Sequence, residues 1–240
     1  LQIAGLKISA AQIVAIASIA VLTLVNTRGL REGKIVQNVF TMTKTLALLG
    51  LIFLGLAIGK NAGAVQANLS HFWHATWTHT ADGKIVSVQS LSGVMLLAAV
   101  GAAMVGSLFA SDAWNNITFT AGEVVNPKRT IPLSLALGTG VVTLLYLLAN
   151  VAYILVLPVA GSPDAVDAVG RGIQFAASDR VGTAADTMIF GATAAIIMAV
   201  LMFISHFGCN TGLILAGARG YYAMARDGLF FRSTGALNRR

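Results

Sequence analysis

Residues 107–123 read Ser107-Leu108-Phe109-Ala110-Ser111-Asp112-Ala113-Trp114-Asn115-Asn116-Ile117-Thr118-Phe119-Thr120-Ala121-Gly122-Glu123, and the placement of this stretch decides the fold. It closes an apolar run that starts at Leu91 and is interrupted before Phe109 only by Ser92, Ser107 and glycines. From Ser111 to Thr118 the chain then places one carboxylate, two amides and two hydroxyls. At a helical rise of about 1.5 Å per residue, 91–125 is too long for one straight crossing of a hydrocarbon core about 30 Å thick. One reading is a helix that emerges near Ser111 and leaves the polar cluster in solvent. The other is a helix broken at mid-membrane, whose half-helix ends and freed backbone groups meet a substrate. Non-helical backbone survives at that depth only where protein buries it or it lines a cavity. The expectation is a span over 91–125, broken near 110–116.

Working outward, 56% of the 240 residues are hydrophobic and only 10% are charged. A soluble domain carries about a quarter charged residues. The apolar runs are continuous, unlike the alternation of a membrane barrel, so the class is all-α integral membrane. Five transmembrane helices are expected, over 8–26, 36–59, 91–125, 132–157 and 187–218. They form a single membrane domain, 1–240, with 60–90 and 158–186 as extracellular loops. The net charge of +7 is scattered among the loops, which argues against a nucleic-acid partner. The single Cys209 excludes an internal disulfide framework and a CxxC metal site. No cofactor is expected. The chain starts at Leu1 without a basic leader and stops in the basic Asn238-Arg239-Arg240. This suggests an internal piece of a longer protein without a signal peptide.

Lys/Arg asymmetry orients the spans. Arg28, Arg31, Lys34, Lys128, Arg129, Arg219, Arg226, Arg232, Arg239 and Arg240 fall on one side. Lys7, Lys60, Lys84, Arg171 and Arg180 fall on the other, diluted by Asp82, Asp164, Asp167, Asp179 and Asp186. The first side is expected to be cytoplasmic in a multi-pass protein of the cell membrane. Gly55/Gly59 and Gly208/Gly212 have the small-xxx-small spacing that lets helix backbones approach.

Lys44 belongs to neither loop set. The apolar run after it, 45–58, is too short to span, so the membrane segment starts before Lys44. Gln37, Thr41 and Lys44 make one polar stripe at helical spacing. An intramembrane ammonium costs about 2.5–3.5 kcal/mol on insertion scales. It is either a buried cation that exchanges a proton or a lysine snorkelling to the interface. His206 and Asn210 share a helix face. They either line a cavity or, the favoured reading, hydrogen-bond between helices. Asn150 is read as packing glue and Cys209 as a small buried residue. His71, Trp73, His74, Trp77 and His79 are read as an interfacial belt and not as a metal centre.

With these segments in place, the sequence resembles the amino acid–polyamine–organocation (APC) superfamily, most closely its L-type amino acid transporter branch. The carrying residues are Phe109-Ala110-Ser111-Asp112-Ala113-Trp114-Asn115 and Gly122-Glu123-Val124-Val125-Asn126-Pro127-Lys128-Arg129-Thr130-Ile131-Pro132. Asn26, Gly29, Val36-Gln37-Asn38, Lys44 and Ala223-Met224-Ala225-Arg226-Asp227-Gly228 extend the match in the family's order. The resemblance implies a partial LeuT-like inverted-repeat bundle, the five spans standing for family helices 4–8, the third of them broken. It implies an amino acid as substrate, with the backbone at Phe109, Ala110, Ser111 and Asp112 receiving its amino group. Phe109 resembles the aromatic lid, Trp114 and Asn115 the pocket wall. Lys44 resembles the lysine whose ammonium stands where sodium-coupled relatives hold sodium. The other partners implied are the lipid bilayer and the missing helices of the full-length chain. Ser111 replaces the branch's usual aromatic and Ala113 its usual glycine, which leaves side-chain selectivity open.

The leading expectation is a secondary active amino-acid transporter, an exchanger or a proton-linked carrier, working by alternating access. The alternatives are a non-transporting membrane sensor or interaction protein, and an APC carrier for polyamines or cationic amines. An enzyme is not expected: Asp112, Glu123 and His206 lack the spacing of an acid–base or metal constellation.

Overall fold

The computed structural model describes residues 2–3, 6–7, 9–27, 30–70, 72–112 and 114–236. A short antiparallel pair, β1 (Gln2–Ile3) and β2 (Leu6–Lys7), precedes α1 (Ala10–Thr27), α2 (Leu30–Ala57) and α3 (Ala62–Ser70). An antiparallel hairpin follows, β3 (Thr76–Ala81) and β4 (Lys84–Ser90), then α4 (Gly93–Ala110) and a 3-10 segment, Trp114–Glu123. The chain continues through α5 (Pro127–Val156), α6 (Ala168–Arg171), α7 (Val181–Phe190) and α8 (Ala194–Arg226). Five stretches are long and apolar enough to cross a membrane: Ala10–Thr27, Gly33–Ala57, Gly93–Glu123, Pro127–Val156 and Val181–Arg226. The architecture is that of an all-α, multi-pass membrane protein.

Local chemistry sets the helix ends. Ser9 and Gln12 form a capping box on α1: the Ser9 N–H donates to Gln12 Oε1 at 2.9 Å and the Gln12 N–H to Ser9 Oγ at 3.3 Å. Asn126 is left-handed at φ 53° and directly precedes Pro127. Proline suits the first helical position, where its missing N–H has no intrahelical partner. The helix therefore starts there and runs through Pro132. Gly191, at φ 58°, separates α7 from α8, and the expected boundary between loop (158–186) and span (187–218) falls inside α7. The connection 60–90, expected as loop, holds α3 and the hairpin. Asp82 at φ 52° and Gly83 at φ 75° form the turn, the left-handed pair of a type I′ hairpin.

The chain divides into two compact units. The first comprises 1–46, 114–137 and 201–240. Here α2 and α8 run antiparallel in close contact. A Cβ added at Gly208 would sit 2.9 Å from Phe40 Cβ, and one at Gly212 would sit 3.7 Å from Gln37 Nε2. The Phe40 and Phe207 rings lie 5.9 Å apart, and the Phe203 ring is tilted against Phe207 at 4.6 Å.

The second unit comprises 47–113 and 138–200. Gly55 and Gly59 let α2 meet α5: their missing Cβ atoms would lie 3.2 Å from Ala152 Cβ and 3.1 Å from Val156 Cγ2. Asn68 of α3 closes the end of α5. Its Nδ2 donates to Ile154 O at 2.7 Å and Leu157 O at 3.0 Å, and its Oδ1 accepts from the Val159 N–H at 2.7 Å. Those carbonyls have no intrahelical partner, so a side chain must supply one. Val156, Leu157 and Ala185 form the buried centre, covered by Tyr153, Ala168, Val169, Ile173 and Ala184. The 158–180 connection is tied to itself by Ile173 N–H to Pro158 O at 2.8 Å and Gln174 N–H to Val159 O at 3.0 Å. By contrast α4 is apolar all round and buries none of its spanning residues within the chain. Such a helix belongs in lipid or against other membrane helices.

Candidate functional site

The α-helix that begins at Gly93 stops at Ala110. Ser111 adopts φ −90° and ψ 3°, and its N–H reaches both Ser107 O (3.1 Å) and Leu108 O (3.2 Å). The Ser111 hydroxyl also donates to Ser107 O at 2.8 Å, and the Asp112 N–H to Phe109 O at 3.3 Å. Serine at this position thus closes the helix end with its own side chain, a role no aromatic could take. After Ala113, which lies outside the described residues, the chain resumes as the tighter 3-10 helix, pinned by Thr118 Oγ1 to Asn115 O (2.7 Å) and Thr120 Oγ1 to Ile117 O (2.9 Å).

The eighteen residues of α4 make roughly 27 Å at 1.5 Å per residue. That is close to the hydrocarbon thickness. Length alone therefore allows the turn at an interface or, with Gly93 above the opposite interface, inside the membrane.

The sequence-predicted site residues fall in both units. Phe109 (83% exposed), Ser111 and Asp112 belong to the second, with Phe109 projecting from the last turn of α4. The Ala110 side chain is outside the described residues. Trp114 (62% exposed) and Asn115 open the 3-10 segment in the first unit. Lys44 is half-buried on α2 in that unit. The register set by Gly33 on Leu215, Gln37 on Gly212 and Phe40 on Gly208 brings Lys44 level with Ile204 and Ser205 of α8. His206 lies on α8 within one turn of that level, and Asn210 about one and a half turns from it. His206 is exposed and its Nδ1 lies 2.7 Å from Met202 O, a partner on its own helix and not across a helix interface. Asn150 likewise donates to Tyr146 O of α5 at 2.8 Å. Cys209 is exposed, against the expectation of burial: it sits on the face of α8 turned away from α2, beside Gly208, which takes the contact.

Three features carry no signal in the sequence: an ion pair, the contacts of Asn68 and the burial of Asp186. Arg219 meets Glu123 across 96 positions, Nε to Oε1 at 3.2 Å and Nη2 to Oε2 at 3.5 Å, joining the end of the 3-10 segment to α8. Nothing in their spacing announces the pair. Asn68 and the fully buried Asp186 also carry no local signal. His71 is outside the described residues. Among the described ones, no three metal-ligating side chains gather. An open cleft of about 450 Å³ lies between the hairpin (Trp77, His79, Gln89) and α4 (Met95, Ala98, Ala102), away from the predicted site residues.

Long apolar helices, one ending at Ala110 with the chain resuming as a 3-10 segment at Trp114, define a multi-pass membrane protein. A family model described as amino acid permease matches residues 3–240, and the chain belongs to that family. It is 31% identical over 146 residues to the b(0,+)-type amino acid transporter 1 of Mus musculus, covering 61% of this chain and 26% of that protein. It is 27% identical over 214 residues to the serine/threonine exchanger SteT of Bacillus subtilis (strain 168), covering 89% of this chain and 41% of that protein. With the large neutral amino acids transporter small subunit 2 of Mus musculus it shares 26% identity over 220 residues, 92% of this chain and 36% of that protein. The chain thus spans between about a quarter and two fifths of the length of these relatives.

Proposed function

We propose that this chain is part of a secondary active amino-acid transporter working by alternating access, as an exchanger or a proton-linked carrier. The observation that supports this best is the interruption between Ala110 and Trp114 within an otherwise apolar stretch of a permease-family chain. An unbroken helix satisfies its own backbone, whereas an interrupted one presents carbonyl and N–H groups to a ligand. In this reading the backbone from Phe109 to Asp112 receives the substrate's amino group and Phe109 closes over it. Trp114 and Asn115 form the wall, and His206 and Asn210 line the cavity. The Lys44 ammonium supplies a fixed or exchangeable charge. The loops carrying Arg28, Lys128 and Arg129, and the end after α8, face the cytoplasm. The relatives named as a serine/threonine exchanger and as amino acid transporters favour an amino acid as the substrate.

The test is uptake of labelled amino acids by the full-length protein in liposomes. Phe109→Ala and Lys44→Ala should each reduce uptake by about tenfold or more, the equivalent of ~1.4 kcal/mol, while the protein still inserts. Unchanged uptake in both variants removes these assignments. The exposed Asp112 carboxylate, which has no ion pair among the described residues, favours a second reading, a carrier for cationic amines. In that case polyamines compete for uptake and Asp112→Asn abolishes the competition.

A further inference from the structure

Among the described residues, the 3-10 segment Trp114–Glu123 has few ties to the elements around it. None of its residues is buried. Its own hydrogen bonds are local: Thr118 Oγ1 to Asn115 O, Thr120 Oγ1 to Ile117 O, and the Val124 N–H to Ala121 O at 3.3 Å. The 3-10 geometry makes poorer hydrogen bonds than an α-helix, and a run of this length is uncommon. The backbone leaves the helical path on both sides of it. Before it, α4 ends in the turn at Ser111 and Asp112. After it, Asn126 takes the left-handed φ of 53° directly ahead of Pro127. Among the described residues, the hydrogen bonds that join the segment to another element are those from Arg219 to Glu123.

Arg219 is held ready for this contact. Its Nη1 donates to Leu215 O at 3.3 Å, one turn back on α8, which leaves Nε and Nη2 for the two carboxylate oxygens of Glu123. A two-point fork fixes direction as well as distance. Lys128 and Arg129 are far nearer in sequence, yet the carboxylate pairs with Arg219 across 96 positions. Both partners belong to the first compact unit. Both side chains also reach solvent, so water and salt weaken the attraction to a preference of about fivefold at most. A tie this weak does little for folding, but it is enough to bias a segment that has two resting places.

We propose that Glu123 and Arg219 are positioning residues: their ion pair sets where Trp114–Glu123 rests on α8, and it opens and closes as the segment moves about its two corners. Neither side chain touches substrate. They act through Trp114 and Asn115, which the same segment carries. The proposal rests on the transport reading for its consequence, because that reading assigns those two residues to the pocket wall. An exposed pair can open in every cycle because both charges pass to water, whereas breaking a buried pair strands a charge.

The experiment places a nitroxide on Phe119→Cys, an exposed position of the segment, in the full-length protein freed of other reactive cysteines and reconstituted in liposomes. Glu123→Gln, which keeps the shape and removes the charge, should make the label more mobile. Exchanging the charges, Glu123→Arg with Arg219→Glu, should return it towards the wild type. Raising NaCl from about 0.1 M to about 1 M should loosen the wild-type label by screening the pair, and should leave Glu123→Gln unchanged. A label that responds to neither salt nor Glu123→Gln overturns the proposal. Should Glu123→Gln not insert, Arg219→Lys keeps the charge without the fork and should give an intermediate mobility; wild-type mobility there, with no salt response, also overturns it. Amino-acid uptake is scored separately in the unlabelled protein. Because the pair biases one orientation, Glu123→Gln should shift the apparent KM at the two faces in opposite directions, each by up to about fivefold. A lower Vmax with the ratio of the two KM values unchanged marks a merely structural role and overturns the proposal. A responsive label without any uptake removes the transport reading and leaves the tie; uptake with an unresponsive label does the reverse.

Discussion

At the scale of single residues, Asn68 shows how one amide can hold an irregular junction together. Its side chain satisfies two terminal carbonyls of α5 and the first N–H beyond Pro158. Removing it leaves those groups to find water at a partly covered site. Asn68→Ala should therefore destabilise the full-length protein by about 1–2 kcal/mol, the cost of unmade hydrogen bonds. Asn68→Asp should be no more stable than Asn68→Ala: one carboxylate oxygen still accepts from the Val159 N–H, but the other faces the Ile154 and Leu157 carbonyls with no hydrogen to donate. Thermal unfolding of the two variants checks the order; equal stability of wild type and Asn68→Ala contradicts it. Glu123 and Arg219 stand at the other end of the energetic range. With side chains 39% and 23% exposed, the pair is screened, and as a surface ion pair it contributes about 0–1 kcal/mol. Its significance is positional, because it ties the end of the 3-10 segment to α8.

At the scale of elements, packing is decided by where glycines face neighbours. Gly208 has Phe40 Cβ 2.9 Å from the site of its missing Cβ, a contact with the stem of the side chain that cannot swing aside. Gly217, nine residues on in the same helix, has nothing within 4 Å. Gly208→Ala should cost about 1–3 kcal/mol by overpacking. Gly217→Ala should be neutral or stabilising by up to ~1 kcal/mol, because alanine is the better helix former. Two unfolding curves decide it, and similar losses in both would remove the packing account. The same glycines explain what was legible in advance. The small-xxx-small spacing of Gly55/Gly59 and Gly208/Gly212 is a local pattern, and both pairs lie at helix contacts. Continuous apolar runs likewise pointed to five long apolar helices, because twenty consecutive apolar residues have few other uses. The hairpin was overlooked although Asp82-Gly83 between Thr76–Ala81 and Lys84–Ser90 is a strong turn signal. Its strands are short and polar, and a membrane reading treats such stretches as loop. The partners of Asn68 and Glu123 lie far away in sequence, and no window of sequence contains them.

At the scale of the whole molecule, the remaining question is which way the bundle crosses the bilayer. In the proposed topology, ten of the sixteen basic residues lie at or beyond the ends of the five membrane stretches on one side, five lie towards the other, and Lys44 is deeper within α2. In that proposed topology the richer side holds the turn before Pro127 and the segment after α8, and the poorer holds the hairpin and the 158–180 connection. Lys/Arg near an anionic cytoplasmic leaflet are favoured by about 1 kcal/mol each, so an excess of this size sets one orientation strongly. Cys209 is exposed and must first be replaced, by Cys209→Ser, before new cysteines report cleanly. In that background, Ser87→Cys on the hairpin should react with a membrane-impermeant maleimide added to intact cells. Ser233→Cys, beyond α8, should react only after permeabilisation. The opposite pattern would invert the proposed topology. A third cysteine, at Ser111, uses the same reagent to place the broken helix. If the turn lies within the membrane and lines a water-filled path, Ser111→Cys is labelled from one face in the free protein and protected when substrate is added. Labelling from the cytoplasmic face that substrate does not alter would place the turn at the interface, with the polar cluster merely solvated.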